Sequence, residues 1–365
     1  MVSMKKKKKP SFFKELVSTV HLWVGLVVGI VFVLIAASGA VLSFEDELDP
    51  IIYPKLYYAS EGQSTDKLLP IESLLDSAKQ HSNDNEISRI VLTKDLGKGG
   101  NILFVTKGSR LERSFIGVDP YNGKVQEVIK PGRHLFTWME EFHRKLIMGK
   151  IGKTITGICC VAYILIILTG IILWWPKNNK ILKQRIKIKW DASKKRLNWD
   201  FHAVGGIYSA PLLMLMCLTG ITWSYSIFES EEIKFDTQSH QVSAQTYAMI
   251  TQKYYLTERD EKVQIGLPDK KKDYLNVSIG KDDLYYHPET AALLKDDSYE
   301  KVSLYFKVKS WMKPLHTGSA FGFVGKLIYF LMTLIGVSLP ITGFIIWFGK
   351  KKKKKKPSIQ AKVLT

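Results

Sequence analysis

Four of the eight histidines recur in a pattern that could do chemistry. His21 lies in "VHLWVG" (20–25) and His202 in "FHAVGG" (201–206), each four residues before a glycine at the start of a long apolar run. His143 and His316 each precede a Gly-Lys pair, Gly152-Lys153 and Gly325-Lys326, and a further apolar run follows. One imidazole at a lipid–water boundary reads most simply as an interfacial side chain. Two pairs repeated in register point instead to a shared ligand. A neutral imidazole binds metal through one ring nitrogen while the other donates to a carbonyl or carboxylate. Two such rings across an axis suit a flat, two-sided group, namely haem iron with two axial histidines. Zinc would need three or four ligands, which no Cys or carboxylate cluster supplies. A proton relay would need acids inside the membrane, and the apolar runs have none. Of the rest, His81, His240 and His287 have no ligand spacing and read as surface or turn residues. His134, nine residues before His143, has no repeat partner.

The elements that position these residues follow from hydropathy and charge. The chain has 365 residues, 46% hydrophobic, with a net charge of +19. Uncharged stretches at 22–44, 154–176, 203–228 and 327–349 each exceed the roughly 20 residues that cross a bilayer as a helix. The first is too long for a signal-peptide core and lacks a small-x-small cleavage pattern, so it is expected to stay as an anchor. Segments 1–20, 177–200 and 350–365 hold 23 Lys/Arg against 3 Asp/Glu. Four spans put all three on one side, which the positive-inside rule makes cytoplasmic. Lysines hugging helix ends are topology signals that also suit anionic lipid, and no nucleic-acid role is expected. The plan is thus a basic N-terminus (1–20), span one (21–44), an outer loop (45–142), an interfacial segment with span two (143–176), and a basic loop (177–200). Span three (201–228), a second outer loop (229–315), an interfacial segment with span four (316–349) and a basic tail (350–365) complete it.

The plan repeats. A shift of 181 sets His21 on His202, Gly25 on Gly206 and "SG" (38–39) on "TG" (219–220). A shift of 173 sets His143 on His316, "TG" (169–170) on "TG" (342–343) and Trp174 on Trp347. The fold class expected is a mainly α membrane protein, a four-transmembrane-helix bundle of two parallel tandem repeats, each with a small α+β domain on the outer side. A pseudo-two-fold axis along the membrane normal would relate the repeats. The small-residue pairs suit close helix approach, and Cys159, Cys160 and Cys217 read as packing residues. In the first outer loop, 68–80 predicts an amphipathic helix before strands with a hairpin at Asn122-Gly123. In the second, 243–256 predicts a helix before strands, with His287-Pro288 at the turn matching Asp119-Pro120.

A single helix from His143 to Trp174 would run about 46 Å, longer than a bilayer core. Short helices before Gly152 and Gly325 are therefore expected. His143 and His316 would share one haem on the outer side, and His21 and His202 another on the cytoplasmic side.

The stretches "HLWVGL…SGAVLSFEDEL" (21–48), "VDPYNGKV" (118–125), "FHRKLIMGKIGKTITG" (142–157), "LTGIILWWPK" (168–177) and "FHAVGGIYSAPLLMLMCLTG" (201–220) together resemble the bacterial PepSY-associated transmembrane family. The likeness covers nearly the whole chain. That family includes iron-regulated inner-membrane proteins and ferric-siderophore reductases. The resemblance implies that the outer α+β domains are periplasmic and PepSY-like, and that haem b is held by His21, His202, His143 and His316. It implies an inner-membrane reductase that passes electrons to a periplasmic ferric siderophore, freeing Fe(II). Two alternatives stay open: a non-redox PepSY protein that binds a protease or peptide, and a siderophore or metal transporter. The second outer loop departs from the Asp-Pro-x-x-Gly turn with "HPETA" (287–291), so that turn's role is expected to be lost there. Trp138, Trp311, Tyr285 and Tyr286 are candidate aromatic contacts for a chelate. No Gly-rich βαβ pattern for a flavin or nicotinamide occurs, "DLGKGGN" (95–101) lacking it. The donor is therefore external, a membrane quinol or a cytoplasmic reductase.

Overall fold

A computed structural model describes residues 11–59, 68–93, 99–228, 233–255 and 262–354, with side chains through 349. The lysine run at 5–9, the tail beyond 354 and residues 94–98, which include the start of the stretch "DLGKGGN" (95–101), lie outside the described residues. The first half of the chain forms α1 (Phe12–Leu42), α2 (Glu45–Ile52), α3 (Pro54–Tyr57), α4 (Ile71–Gln80), β1 (Ile87–Leu92), β2 (Ile102–Thr106), β3 (Phe115–Val118), β4 (Val125–Ile129), α5 (Leu135–Lys145) and α6 (Gly149–Trp174). The second half forms α7 (Asn179–Arg185), α8 (Lys194–Ser224), α9 (Ala244–Ile250), β5 (Val263–Gly266), β6 (Leu275–Ile279), β7 (Asp282–Tyr286), β8 (Leu293–Asp297), α10 (Leu304–Thr317) and α11 (Gly322–Lys354). These elements fall into two compact units, a helical one and one built from residues 44–141 and 228–311.

In the helical unit four helices are long and apolar enough to cross a membrane. α1 starts well before its apolar run, with Glu15 in the first turn where a negative charge suits the helix dipole. His21 therefore sits inside a continuous helix rather than at its mouth, and the same holds for His202 in α8. α1 and α8 each pack against both α6 and α11, so α1 and α8 face one another across the bundle. Between them Phe32 stacks on Tyr163, with centroids 3.5 Å apart, among Ala36, Cys159, Ala210, Leu213 and Cys217. The outward faces carry exposed Val27, Ile30 and Leu34 on α1, and Ile158, Val161 and Leu165 on α6. Such spacing gives a helix an apolar outer stripe, which suits lipid as solvent.

The expected breaks before the second and fourth spans are present. α5 ends at Lys145, and Leu146 and Ile147 take positive φ before α6 begins. α10 ends at Thr317, and a 3-10 turn at Ser319–Phe321 leads into α11. A Cβ on Gly152 would overlap the Lys145 carbonyl oxygen, and one on Gly325 would overlap that of Gly318. Each Gly-Lys pair thus needs its glycine so that the span can fold back on the preceding short helix.

The second unit holds one antiparallel sheet in the order β4-β3-β2-β1-β5-β6-β7-β8. The two outer loops, expected to carry separate short sheets, share this one, joined where Arg89 to Leu92 pair with Gly266 to Val263. Each central strand presents one face to α4 and α9, burying Ile71, Leu74, Ile90, Phe104, Ile250 and Ile265. In the first half the opposite face meets α3, where Leu56 packs on Val91, Leu103 and Val105. The helix expected at 243–256 is α9 followed by one π-helical turn, Thr251–Tyr255.

The turn expected to lose its role in the second loop keeps its form. Asp119 Oδ1 accepts from the Tyr121 amide at 2.9 Å, and His287 Nδ1 accepts from the Glu289 amide at 3.1 Å. The amides of Gly123 and Ala291 return to the carbonyls of Asp119 and His287 at 2.9 and 3.1 Å. Gly123 has φ 72° and Ala291 φ 59°. An imidazole nitrogen thus replaces the carboxylate, and an alanine is held in the left-handed region.

Candidate cofactor site

The four repeated histidines meet as two pairs in the helical unit. His21 and His202 project from α1 and α8, and their ring centroids are 6.2 Å apart at an interplanar angle of 81°. His143 closes α5 and His316 closes α10, and their centroids are 6.1 Å apart at 73°. Each ring is held through Nδ1. His21 Nδ1 lies 3.2 Å from the Ile166 carbonyl and 3.1 Å from Thr169 Oγ1. For His202 the partners are the Leu339 carbonyl at 3.1 Å and Thr342 Oγ1 at 3.0 Å. For His143 they are the Ile35 carbonyl at 2.8 Å and Ser38 Oγ at 3.3 Å. His316 bonds Thr219 Oγ1 at 2.8 Å and the Met216 carbonyl.

One device is used four times: a carbonyl at i and a hydroxyl at i+3 on the facing helix. The hydroxyl hydrogens are committed elsewhere, because Ser38, Thr169, Thr219 and Thr342 donate to the carbonyls of Leu34, Leu165, Leu215 and Ser338. A carbonyl only accepts, so Nδ1 carries the ring proton and Nε2 keeps its lone pair for a metal. Two neutral imidazoles held in this way form the donor set with which His21 and His202, and likewise His143 and His316, would each hold one haem iron, and the residues fit that group.

The residue after each hydroxyl is glycine for a related reason. A Cβ on Gly39 would stand 2.8 Å from His143 Cε1, and one on Gly170 3.2 Å from His21 Cε1. At Gly220 and Gly343 the matching distances to His316 and His202 are 3.7 and 3.5 Å. The Ser-Gly and Thr-Gly pairs, expected to serve helix packing, are therefore the cradles of the imidazoles. Sequence reasoning had them in view as part of the repeat. Their partners lie 97 to 148 residues away, which no local spacing encodes.

The pairs are separated along the bundle. His21 and the cradle for His143 at Ile35 and Ser38 are both on α1, about 21–26 Å apart along its axis. The stacked Phe32 and Tyr163 occupy the span between them. Cys160 and Cys217 share a thiol hydrogen bond in the same core. Among the described residues no three His, Cys, Asp or Glu side chains group to hold a metal ion.

The other singled-out residues lie elsewhere. His81 and His240 are exposed. His134 is buried in the second unit, with Nε2 3.0 Å from Asp49 Oδ1, and Asp49 Oδ2 takes a 2.5 Å bond from the Tyr57 hydroxyl. Burial and the Asp49 charge push the Tyr57 phenol well above its ordinary pKa. Tyr286 is buried and bonds Tyr254, which corrects its reading as a chelate contact. Tyr285 packs against Tyr274 and Phe235. Trp311 donates to the Tyr299 hydroxyl with Lys281 Nζ over its ring, and Trp138 is exposed.

Four apolar spans carrying two opposed histidine pairs define a multi-pass helical membrane protein. The family described as the PepSY-associated TM region matches residues 18–350, and the chain belongs to that family. No curated protein matches the chain.

Proposed function

We propose that the protein is a haem-bearing inner-membrane reductase that passes electrons outward to an Fe(III) chelate of the siderophore class. The observation that carries the reading is the paired geometry, two sets of opposed imidazoles at 6.2 and 6.1 Å with every Nδ1 tied to the facing helix. When bound, haem b supplies reversible one-electron Fe(III)/Fe(II) chemistry. The chain's own residues do the rest. His21 and His202 would hold one group at the end of the bundle nearest both termini, and His143 and His316 the other. The carbonyl and hydroxyl behind each ring fix its tautomer and raise its donor strength. The apolar core around Phe32 and Tyr163 keeps water from the space between the pairs.

The basic segments favour an orientation with both termini in the cytoplasm and the sheet unit in the periplasm. The strand order, which mirrors itself about the β1–β5 junction, supports the tandem-repeat reading. Each electron delivered outside converts one Fe(III) to Fe(II), which a siderophore releases. Trp138 and Trp311 remain candidate contacts for the chelate. The test is stopped-flow oxidation of dithionite-reduced, purified protein by ferric siderophores. Loss of the reduced haem bands in step with Fe(II) release is the expected result. A reduced spectrum that persists in excess chelate would overturn the substrate.

A further inference from the structure

Beside the pair nearest the termini, a groove of about 720 Å³ runs between α8 and α11 under the segment 186–190. Its walls are apolar and aromatic, with Trp190, Phe201 and Tyr208 on one side and Ile335 and Ser338 on the other. The covering segment reads Ile-Lys-Ile-Lys-Trp, so it alternates apolar residues with lysines that can reach to water or headgroups. Both ends of that cover are tied down. The Tyr208 hydroxyl donates to the Ile186 carbonyl at 3.3 Å, and the Lys189 amide donates to the buried Asp200 at 3.3 Å. The groove is also next to the electron-bearing position. Phe201 and His202 are neighbours in sequence, and Ser338 precedes Leu339, whose carbonyl holds the His202 ring.

Resting on the reductase reading above, we infer that this groove binds a membrane hydroquinone that donates the electrons. The chain carries no nucleotide-binding pattern, so its reductant is external, and a groove on an apolar helix pair is reached from the bilayer. Its volume falls in the range of small-molecule sites, and its lining of aromatic side chains with a few polar groups suits a ring with an apolar tail. Oxidation breaks the two O–H bonds of the hydroquinone and yields the quinone. The two protons pass to water at the open rim of the groove, and two electrons leave singly, enough to turn two Fe(III) chelates into two Fe(II).

The experiment uses the full chain in nanodiscs with an azido derivative of decylubiquinone as photoprobe. Labelling is expected within residues 186–208 and competed by unlabelled decylubiquinone. Trp190 and Phe201 are exposed, so Trp190→Ala/Phe201→Ala is expected to keep the fold. In that variant labelling should fall at least fivefold, while haem per chain and the dithionite-reduced spectrum stay unchanged. Label that is not competed, or that the variant retains, would overturn the inference and mark a lipid groove. A haem-loaded protein without specific label overturns it while leaving the reductase reading intact. Specific label on a protein that binds no haem would sustain the groove and sink the reductase.

Discussion

Each imidazole is governed by three small choices, namely a carbonyl, a hydroxyl oxygen and a missing Cβ. These have separable consequences. Thr169→Val keeps the Ile166 carbonyl but removes the second acceptor for His21, so haem retention at that pair is expected to weaken by about tenfold, as second-layer losses do. Washing the purified variant with apomyoglobin and timing haem loss measures it. The glycines should rank by clearance. Gly39→Ala places a methyl 2.8 Å from His143 and should displace the ring, whereas Gly343→Ala makes an ordinary 3.5 Å contact and should be tolerated. Haem per chain in the two variants gives the order, and equal retention would refute the cradle. A different buried pair serves only the sheet unit. Asp49→Ala removes the acceptor of the Tyr57 hydroxyl and the carboxylate beside the buried His134 Nε2, and should cost about 2 kcal/mol, the usual penalty for buried polar groups left unpaired. Urea unfolding followed through the tyrosines reads that loss. The histidines themselves were legible because they repeat in register. Their cradles were visible only as small-residue pairs, since nothing local says that a ring on another helix will dock there.

Among the elements, the turn between β7 and β8 holds a strain that its counterpart between β3 and β4 avoids. Ala291 sits at φ 59°, where an L-residue other than glycine is disfavoured. Ala291→Gly relieves that strain against a smaller gain in unfolded-chain entropy. The net should stabilise the unit by about 0.5–1 kcal/mol, raising its melting midpoint by about 1–4 °C for a unit of this size. Differential scanning of the purified protein tests the sign. The four spans were plain in the sequence because lipid demands an uninterrupted apolar run. Their true starts were not, since α1 and α8 continue through residues polar enough to be read as loop. The breaks before Gly152 and Gly325 were legible from length alone.

At the scale of the whole molecule, strands from loops some 170 residues apart form one sheet, and the pairing of β1 with β5 could not be read from either loop alone. An ion pair crosses the same seam, with Lys107 Nζ 3.1 Å from Asp269 Oδ2 and 3.0 Å from Glu86 Oε2. Burial works against the charged form of Asp269, yet the Lys271 amide, Lys107 and the Lys272 amide outweigh it and hold the carboxyl below its ordinary value. A depressed carboxyl contributes stability above its unfolded pKa, near 4, and loses it as pH falls through the lower folded value. Lys107 is partly exposed, so the effect should be under about 1 kcal/mol. Denaturant midpoints of wild type and Asp269→Asn should therefore differ at pH 7 and converge once the pH has fallen through the depressed folded value.

A reductase of this design needs both histidine pairs to hold groups of one kind at opposite ends of one bundle. The most direct measurement is haem per chain, with oxidised and dithionite-reduced visible spectra, for the wild type and for His202→Ala and His316→Ala. About two haems with low-spin b-type bands are expected in the wild type, and about one in each variant, the survivor being the one at the far pair. A wild-type protein that stays colourless after haem addition, or variants that keep both haems, would contradict that design.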